Sequence, residues 1–358
     1  MTAVGLGNER RLPRIGTFRP GIDAEKCLLS RTAFSKCQAC ADACPAGAIL
    51  CDEEGLGTNE EACVGCGLCV PACPEAAIAS PFEPQLRDHD GTKAVFVACE
   101  AALSPDADNC GRDSVPCLHM LGLGELEAIR RKGAELVVIA CGDCRTCLPV
   151  QGSRLVGTAA AFQEILVSRN IEMPEVRSVE LAEWHSLRAP AKPCSPGRVI
   201  GRRGFLQLFS RPVSATHGLE QERRDAFGIP VRSLNDVAAF RPVIDAEKCS
   251  GCDACVNVCP HGVLTLSKTA LSDKGEEEAY AIDAFACTGC KLCVDICSEK
   301  AIGVAGLGRP EQTRISLVSF TCRQCGVPGH SPAGTQPQQL CRICARVDKR
   351  QRLFQVQD

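Results

Sequence analysis

The sequence is poor in aromatic residues and contains no long apolar run. Aromatic side chains make up 4% of the 358 residues, with one Trp and one Tyr, so large rings supply little of any core. No stretch of 18 or more apolar residues occurs, which predicts no membrane-spanning helix. The formal net charge is −3, so the chain lacks the general basic field of a nucleic-acid-binding protein. We expect neither a membrane span nor a nucleic-acid partner.

Motifs for nucleotide binding and for hydrolysis are also missing. The sequence has no Gly-x-Gly-x-x-Gly opening a βα unit, no P-loop, no serine elbow and no His-Glu-x-x-His. The segment "GRRGFLQLF" at 201–209 resembles a twin-arginine export motif, but no long apolar segment follows it. We therefore expect no nicotinamide, flavin or ATP site, and we expect a cytoplasmic protein.

Cysteine is the residue in excess, with 28 copies. Such density is typical of a disulfide-stapled secreted scaffold or of a metal-loaded protein. Thiols only three or four positions apart are poorly placed to pair with each other, but they can surround one inorganic core. Because no secretory signal is visible, the spacing favours metal ligation. The runs are "CQACADACP" from Cys37, "CVGCGLCVPACP" from Cys63, "CSGCDACVNVCP" from Cys249 and "CTGCKLCVDIC" from Cys287.

An internal repeat organises the chain. "RPGIDAEKC" at 19–27 recurs as "RPVIDAEKC" at 241–249, and two cysteine runs follow each copy. The repeat predicts an α+β protein with two similar units, at 19–84 and 237–310. Glycines within the runs, such as Gly65 and Gly251, are expected to take positive φ and let the backbone wrap closely around a core.

The four runs resemble the bacterial two-cluster ferredoxins. In that family each [4Fe-4S] cluster is held by the first three cysteines of one run and the fourth of the other. In the second unit the resemblance implies one cluster on Cys249, Cys252, Cys255 and Cys297, and another on Cys259, Cys287, Cys290 and Cys293. Ser298 replaces the usual proline after the last cysteine, and we expect no loss of the cluster because that proline does not ligate.

The first unit departs from the family pattern, because Phe34 stands where a cysteine is expected. The repeat aligns Cys27 with Cys249, which places seven extra residues before Cys37, at a loop-closure cost of under about 1 kcal/mol. The alternative is a cluster with three ligands, either [3Fe-4S] or labile. Cys51 lies outside the pattern and is predicted to be a buried structural thiol. With the alignment, the resemblance implies one cluster on Cys27, Cys37, Cys40 and Cys73, and another on Cys44, Cys63, Cys66 and Cys69.

A different domain is predicted at 90–188. Strands at 93–99, 134–141 and 176–181 alternate with helices at 123–133 and 157–170, as in a small α/β domain. Cys99 and Cys141 each lie at the end of a predicted strand, which is where open α/β sheets place their binding sites. With "VPC" at 115–117 and "CGDC" at 141–144, the domain resembles the iron–sulfur delta subunit of methyl-viologen-reducing hydrogenase and heterodisulfide reductase.

That second resemblance implies a [2Fe-2S] cluster in the central domain. Its ligands would be Cys99, Cys117, Cys141 and Cys144, with Cys110 and Cys147 as substitutes. The alternative is a metal-free domain whose thiols are buried or catalytic.

The remaining regions are a linker and a C-terminal cysteine group. Residues 189–236 are rich in Pro, Arg, Gly and Ser and are predicted to be a linker. Within 316–350, the residues Cys322, Cys325, Cys341 and Cys344 have the C-x2-C-x15-C-x2-C spacing of a zinc ribbon or knuckle. Rubredoxin-like iron or a further cluster is the alternative. Four thiolates already close a tetrahedral shell, so His330 is not expected to ligate.

These patterns predict an electron-transfer subunit without catalytic residues of its own. Four [4Fe-4S] clusters and a [2Fe-2S] cluster would form a relay between a partner oxidoreductase and a soluble redox carrier, and a zinc ion would hold the C-terminal loop. The expected partners are other subunits of an oxidoreductase complex. One alternative is thiol–disulfide exchange at "CGDCRTC" from Cys141, and another is an iron–sulfur sensor that binds nucleic acid.

Overall fold

The structure is a computed structural model with an α+β architecture. Among its described residues, no helix is both long and apolar enough to cross a bilayer. Cys110 and residues 195–222 of the expected linker lie outside the described part. The described residues are 14–52, 55–103, 111–147, 154–194, 223–271, 275–335 and 339–346.

The first repeat unit is built from one hairpin and short helices beside the cysteine runs. Ile49 pairs with Thr58 in the antiparallel hairpin, and an Ile22–Ile78 bridge joins the two ends of the unit. The third helix ends just before Cys73, because a residue that precedes proline disfavours the helical conformation. The elements are α1 (Leu28–Arg31), α2 (Ala39–Asp42), β1 (Ile49–Asp52), β2 (Gly55–Thr58) and α3 (Cys69–Ala72).

The central unit is a mixed sheet covered by helices. Its strand order is β7-β6-β4-β3-β8, with β5 alongside β4. Strands β4, β5, β6 and β7 are parallel, so their carboxyl ends meet at one edge. The elements are β3 (Leu86–His89), β4 (Thr92–Cys99), β5 (Ser114–Val115), α4 (Leu123–Arg131), β6 (Leu136–Ala140), α5 (Cys144–Cys147), α6 (Arg154–Ser168), β7 (Glu175–Ser178), α7 (Leu181–Arg188) and β8 (Lys192–Pro193).

The central sheet differs from the sequence expectation at its two ends. The third predicted strand stops at Ser178, and α7 follows because Trp184 packs into the sheet and donates a hydrogen bond to the Val138 carbonyl. Strands β3 and β8, which lie outside 90–188, extend the sheet antiparallel beyond β4, with β8 at the edge. Asp90 and Gly91 form the β3–β4 turn with φ of 52° and 84°, the geometry of a two-residue hairpin loop.

The second repeat unit has the same plan with a longer hairpin. Strands β9 and β12 pair with each other. Strands β10 and β11 form the longer hairpin, in which each strand has eight residues. The elements are β9 (Arg241–Ile244), α8 (Ala254–Val258), β10 (Leu264–Leu271), β11 (Gly275–Ile282), α9 (Leu292–Ile296) and β12 (Ile302–Ala305).

The C-terminal region extends the sheet of the second unit. Its strand β13 pairs with β11 on one side and with β14 on the other, which gives the order β10-β11-β13-β14. The C-terminal cysteine group therefore adjoins strands that extend the β10–β11 hairpin of the second unit. The elements are β13 (Arg314–Thr321), β14 (Pro328–Pro332) and α10 (Arg342–Arg346).

Residues 223–236, within the stretch expected to be a linker, pack between the central unit and the second repeat unit. The buried Arg169, just after α6, forms an ion pair of 2.8 Å with Asp225. Its guanidinium also donates to the carbonyls of Ile229 and Val237, at 3.1 and 2.9 Å. These contacts fix the C-terminal end of α6 to the second repeat unit.

Candidate metal centres

The two repeat units bring the predicted ligands together in four sets. We number these sites by the order in which they follow one another in space. Site 1 comprises Cys44, Cys63, Cys66 and Cys69. Site 2 comprises Cys27, Cys37, Cys40 and Cys73. Site 3 comprises Cys259, Cys287, Cys290 and Cys293. Site 4 comprises Cys249, Cys252, Cys255 and Cys297.

All four cysteines of site 2 line one small cavity. The thiol of Cys37 interacts electrostatically with those of Cys73 and Cys27. Burial raises the pKa of the Cys40 thiol to about 12. Cys27 therefore reaches the site from beyond the inserted segment, as the repeat alignment predicts. Cys51 is half-buried and interacts with Cys40, but it is not part of the cavity lining.

Site 4 is the counterpart of site 2 in the second unit. Its four cysteines line one cavity together with Tyr280 and Asp253. Burial raises the pKa of Cys255 to about 12, and the neighbouring thiols of Cys249 and Cys252 add to that shift. A cation that neutralises thiolates at this place would release protons on binding.

Sites 1 and 3 are assembled in the same way. In site 1, the Cys66 thiol interacts with those of Cys44 and Cys63, and burial raises the pKa of Cys69 to about 12. In site 3, the pKa of Cys293 is raised to about 12 by burial and by the other three thiols of the site. Burial raises the pKa of Cys287 to about 11.

The backbone donates hydrogen bonds to several ligand sulfurs. The Sγ atoms of Cys44, Cys73 and Cys297 each accept an N–H four residues later, at 3.2 to 3.3 Å. Gly65 and Gly251 have φ of 74° and 64°, as expected for a loop that wraps closely. Such N–H···S bonds stabilise thiolates and tune the potential of a cluster held there. The donor chemistry of the four sites therefore fits iron–sulfur clusters.

The two sites within each unit lie close enough for their thiols to interact electrostatically. Cys69 of site 1 interacts electrostatically with Cys40 of site 2. Cys293 of site 3 interacts in the same way with Cys255 of site 4. The two sites of each unit are therefore adjacent.

Glu75 links site 2 to site 3 across the interface of the two units. Its Oε1 accepts hydrogen bonds from His261 Nε2 at 2.8 Å and from Thr288 Oγ1 at 3.1 Å. Burial acts to raise the pKa of Glu75, but the hydrogen bonds from His261 and Thr288 and the nearby positive charges together outweigh it, and the pKa is lowered. The same hydrogen bond raises the pKa of His261. The backbone N–H of Lys36 adds a third contact by donating to Asp295 at 2.9 Å. These contacts hold site 2 against site 3.

The carboxyl edge of the central sheet carries five thiols. They line a cavity of about 420 Å³, with Cys99 and Cys117 buried, Cys147 half-buried, and Cys141 and Cys144 exposed. The sequence predicts four of them as ligands and names Cys147 only as a substitute, yet Cys147 is equally part of the lining. Its thiol interacts with those of Cys99 and Cys144.

This central site adjoins site 1. The pKa of Cys117 is raised to about 12, mainly by burial, and its thiol also interacts with those of Cys66 in site 1, Cys99 and Cys147. Cys141 is an exposed thiol at the same edge of the sheet. Partial burial raises its pKa to about 11, and the Cys144 thiol adds to the effect. His119 accepts a hydrogen bond from the Leu155 N–H through Nδ1, at 3.2 Å, which is consistent with a structural histidine.

The C-terminal cysteines form a tighter group than the other sites. All four Sγ atoms lie within 4.8 Å of one another, and those of Cys325 and Cys341 are 3.7 Å apart. The backbone N–H of Cys341 lowers the pKa of Cys322 to about 6. Burial and the neighbouring thiols raise the pKa of Cys344 to about 12. The set can hold a single metal ion.

The repeat fold and its thiol sites define an iron–sulfur protein with ferredoxin-type domains. Comparison with family models agrees, because a model described as a 4Fe-4S dicluster domain matches residues 248–301. Two models described as 4Fe-4S binding domains match residues 57–79 and 24–47. The match at 24–47 includes Cys27. None of the three extends into the central unit, and no curated protein matches the chain.

Proposed function

We propose that the chain is the electron-transfer subunit of a cytoplasmic oxidoreductase complex. It carries [4Fe-4S] clusters at sites 1 to 4, a [2Fe-2S] cluster at the central site and a zinc ion at the C-terminal cysteines. The 4Fe-4S domains support an iron–sulfur electron-transfer role. Every cysteine in the described part of the chain is a free thiol, which suits a reducing compartment.

The order of the sites carries this proposal. The thiols of neighbouring sites interact electrostatically, namely Cys117 with Cys66, Cys69 with Cys40, and Cys293 with Cys255, and a hydrogen bond at Glu75 joins sites 2 and 3. The thiol sites therefore form a single row. A succession of adjacent sites is what a relay needs, whereas a storage protein needs no such order.

A bound cluster supplies one-electron redox chemistry, and the residues of this chain set its surroundings. The ligand thiols of sites 1 to 4 are buried or half-buried, which limits their contact with water, and backbone N–H groups at the sulfurs of Cys44 and Cys297 tune the potential. Glu75, His261 and Thr288 fix the spacing between the two units. The exposed Cys141 and Cys144 make the central site the open end of the row, where a partner subunit would dock.

The five thiols that line one cavity support metal ligation at the central site. A cysteine that attacks a disulfide needs a lowered pKa, but the pKa values of Cys117, Cys141 and Cys147 are all raised by burial. No observation favours thiol–disulfide exchange at this site. A metal centre held here would take these cysteines as thiolates and displace their protons.

The spacing of the C-terminal sulfurs supports a single tetrahedral ion. Four sulfurs at about 2.3 Å from zinc lie about 3.8 Å apart, close to the 3.7 Å between Cys325 and Cys341. A cubane cluster separates its ligand sulfurs more widely, because each thiolate binds a different iron. Zinc is preferred to iron because a structural role suits a group at the end of a sheet.

Anaerobic purification from the native host tests the proposal. We expect about sixteen irons from sites 1 to 4, about two more from the central site, and one zinc. Subunits of an oxidoreductase complex should co-purify with the chain. Eight or fewer irons would reject at least half of the cluster assignment, and isolation as a stable free monomer would reject the subunit role.

A further inference from the structure

The C-terminal region lies directly on the ligand loop of site 4. Gly251 sits between the first two cysteines of that loop, with φ of 64°. A β-carbon placed on Gly251 would come within 2.1 Å of the carbonyl oxygen of His330, which belongs to β14. The backbone of β14 therefore touches the loop with no room for a side chain between them.

The His330 side chain also holds this loop. Its Nε2 lies 2.9 Å from Asp253 Oδ1, and the same oxygen accepts a hydrogen bond from Tyr280 Oη at 2.6 Å. The His330 side chain is only 12% exposed. Asp253 has φ of 58°, a left-handed conformation that a β-carbon disfavours. The two hydrogen bonds thus anchor a strained residue between two ligands of site 4.

The C-terminal region also covers the segment that carries Cys297, the fourth ligand of site 4. Arg346 of α10 forms an ion pair with Glu299, which lies two residues after the ligand Cys297. Leu340 and Ala345 line a cavity shared with Ser250 and Glu299. Both chain segments that carry site 4 ligands are therefore in contact with the C-terminal region.

The cysteine group is what holds β14 and α10 in this position. Cys322 follows β13, Cys341 immediately precedes α10, and Cys344 lies within it. None of the described residues from 339 to 346 is buried, so α10 has no hydrophobic core to keep it in place.

We propose that the C-terminal metal site is a latch over site 4, and that His330 is its positioning residue. The ion fixes β14 and α10, and these two elements hold the two ligand segments of site 4 closed against solvent. This inference rests on the proposed function, since it requires a cluster at site 4 and an ion at the latch. It gives the C-terminal site a role in protecting one end of the row.

Matched glycine variants of the full chain test the latch. Gly251→Ala pushes β14 away from the loop, whereas Gly262→Ala carries the same backbone penalty, with φ of 61°, but meets open space. His330→Ala changes the β14 side of the same contact, because it removes the side chain that is hydrogen-bonded to Asp253. Each anaerobically purified protein is challenged with an iron chelator, and retained iron, retained zinc and the EPR signals after reduction are measured.

We expect Gly251→Ala and His330→Ala to lose about four of the roughly sixteen cubane irons, and one EPR signal, much sooner than wild type. Gly262→Ala should retain them. Zinc should stay bound in both latch variants, and Cys341→Ser should lose the zinc and then the same four irons. The latch proposal would be overturned if both latch variants retained as much iron as wild type. It would also be overturned if iron were lost equally from all four sites. A wild-type protein that never holds sixteen irons would instead overturn the proposed function.

Discussion

Replacing Glu75 with alanine should loosen the contact between the two repeat units. The Glu75 side chain is 7% exposed and accepts two hydrogen bonds from the other unit. A hydrogen bond from a charged histidine is worth about 1.5–3 kcal/mol and one from a threonine hydroxyl about 0.5–1.5 kcal/mol. Because His261 is 31% exposed, we take the low end, about 2 kcal/mol in total. That loss corresponds to about thirty-fold more frequent opening of the interface.

The contact should also weaken at high pH. The pKa of His261 is raised above its ordinary value of 6.5, so its contribution is complete below about pH 6.5 and is lost as the pH rises through the raised pKa. The pKa of Glu75 is lowered below 4.5, so its contribution is present above about pH 4.5 and is lost only as the pH falls through the lowered pKa. The interface should be most stable between about pH 4.5 and 6.5.

Hydrogen exchange at the backbone amide of Lys36 is the assay, because this N–H donates to Asp295 across the interface. Exchange of this amide should be about thirty-fold faster in Glu75→Ala than in wild type at pH 6. The difference should shrink as the pH rises. Glu25→Ala, which changes an exposed glutamate of the same unit, is the control and should exchange as wild type does. Unchanged exchange in Glu75→Ala would show that Glu75 does not hold the units together.

Three further substitutions test individual sites and the packing between units. Cys27→Ser should lower the iron content by about four, while Cys51→Ser should leave it unchanged; equal iron in both would remove Cys27 from site 2. Cys99→Ser should cost about two irons, measured by the same count, and no loss would argue against a central [2Fe-2S] cluster. Arg169→Met leaves the Asp225 carboxylate buried without its partner, which should destabilise the chain by about 3–5 kcal/mol. The fluorescence of the single Trp in a denaturant titration measures that loss, and a change below about 1 kcal/mol would contradict the buried ion pair.

The membership of the four cysteine sites could be predicted from the sequence, because it depends on local spacing and on an internal repeat. The alignment of the two "IDAEKC" segments places Cys27 in site 2 although seven extra residues separate it from its run. The central strands β4 and β6 could be predicted as well, since each is a short apolar run with polar ends. The Asp-Gly pair at 90–91 is the sequence signal for the β3–β4 hairpin, because both residues take the positive φ of a two-residue turn.

The order of the sites and the latch could not be predicted, because they depend on contacts between distant residues. Glu75 and His261 are 186 positions apart, and Asp253 and His330 are 77 apart. Each of these residues is polar and resembles an ordinary surface residue in the sequence. Their importance comes from the burial that the packing of the units creates, which no periodic pattern records.

Reductive titration of the anaerobically purified full chain, followed by EPR and iron analysis, tests the central claim most directly. A row of adjacent clusters predicts about sixteen cubane irons and four reducible [4Fe-4S] centres, whose signals broaden through magnetic coupling as neighbours become reduced. Eight or fewer irons, an absence of reducible iron, or four signals without mutual coupling would contradict the relay.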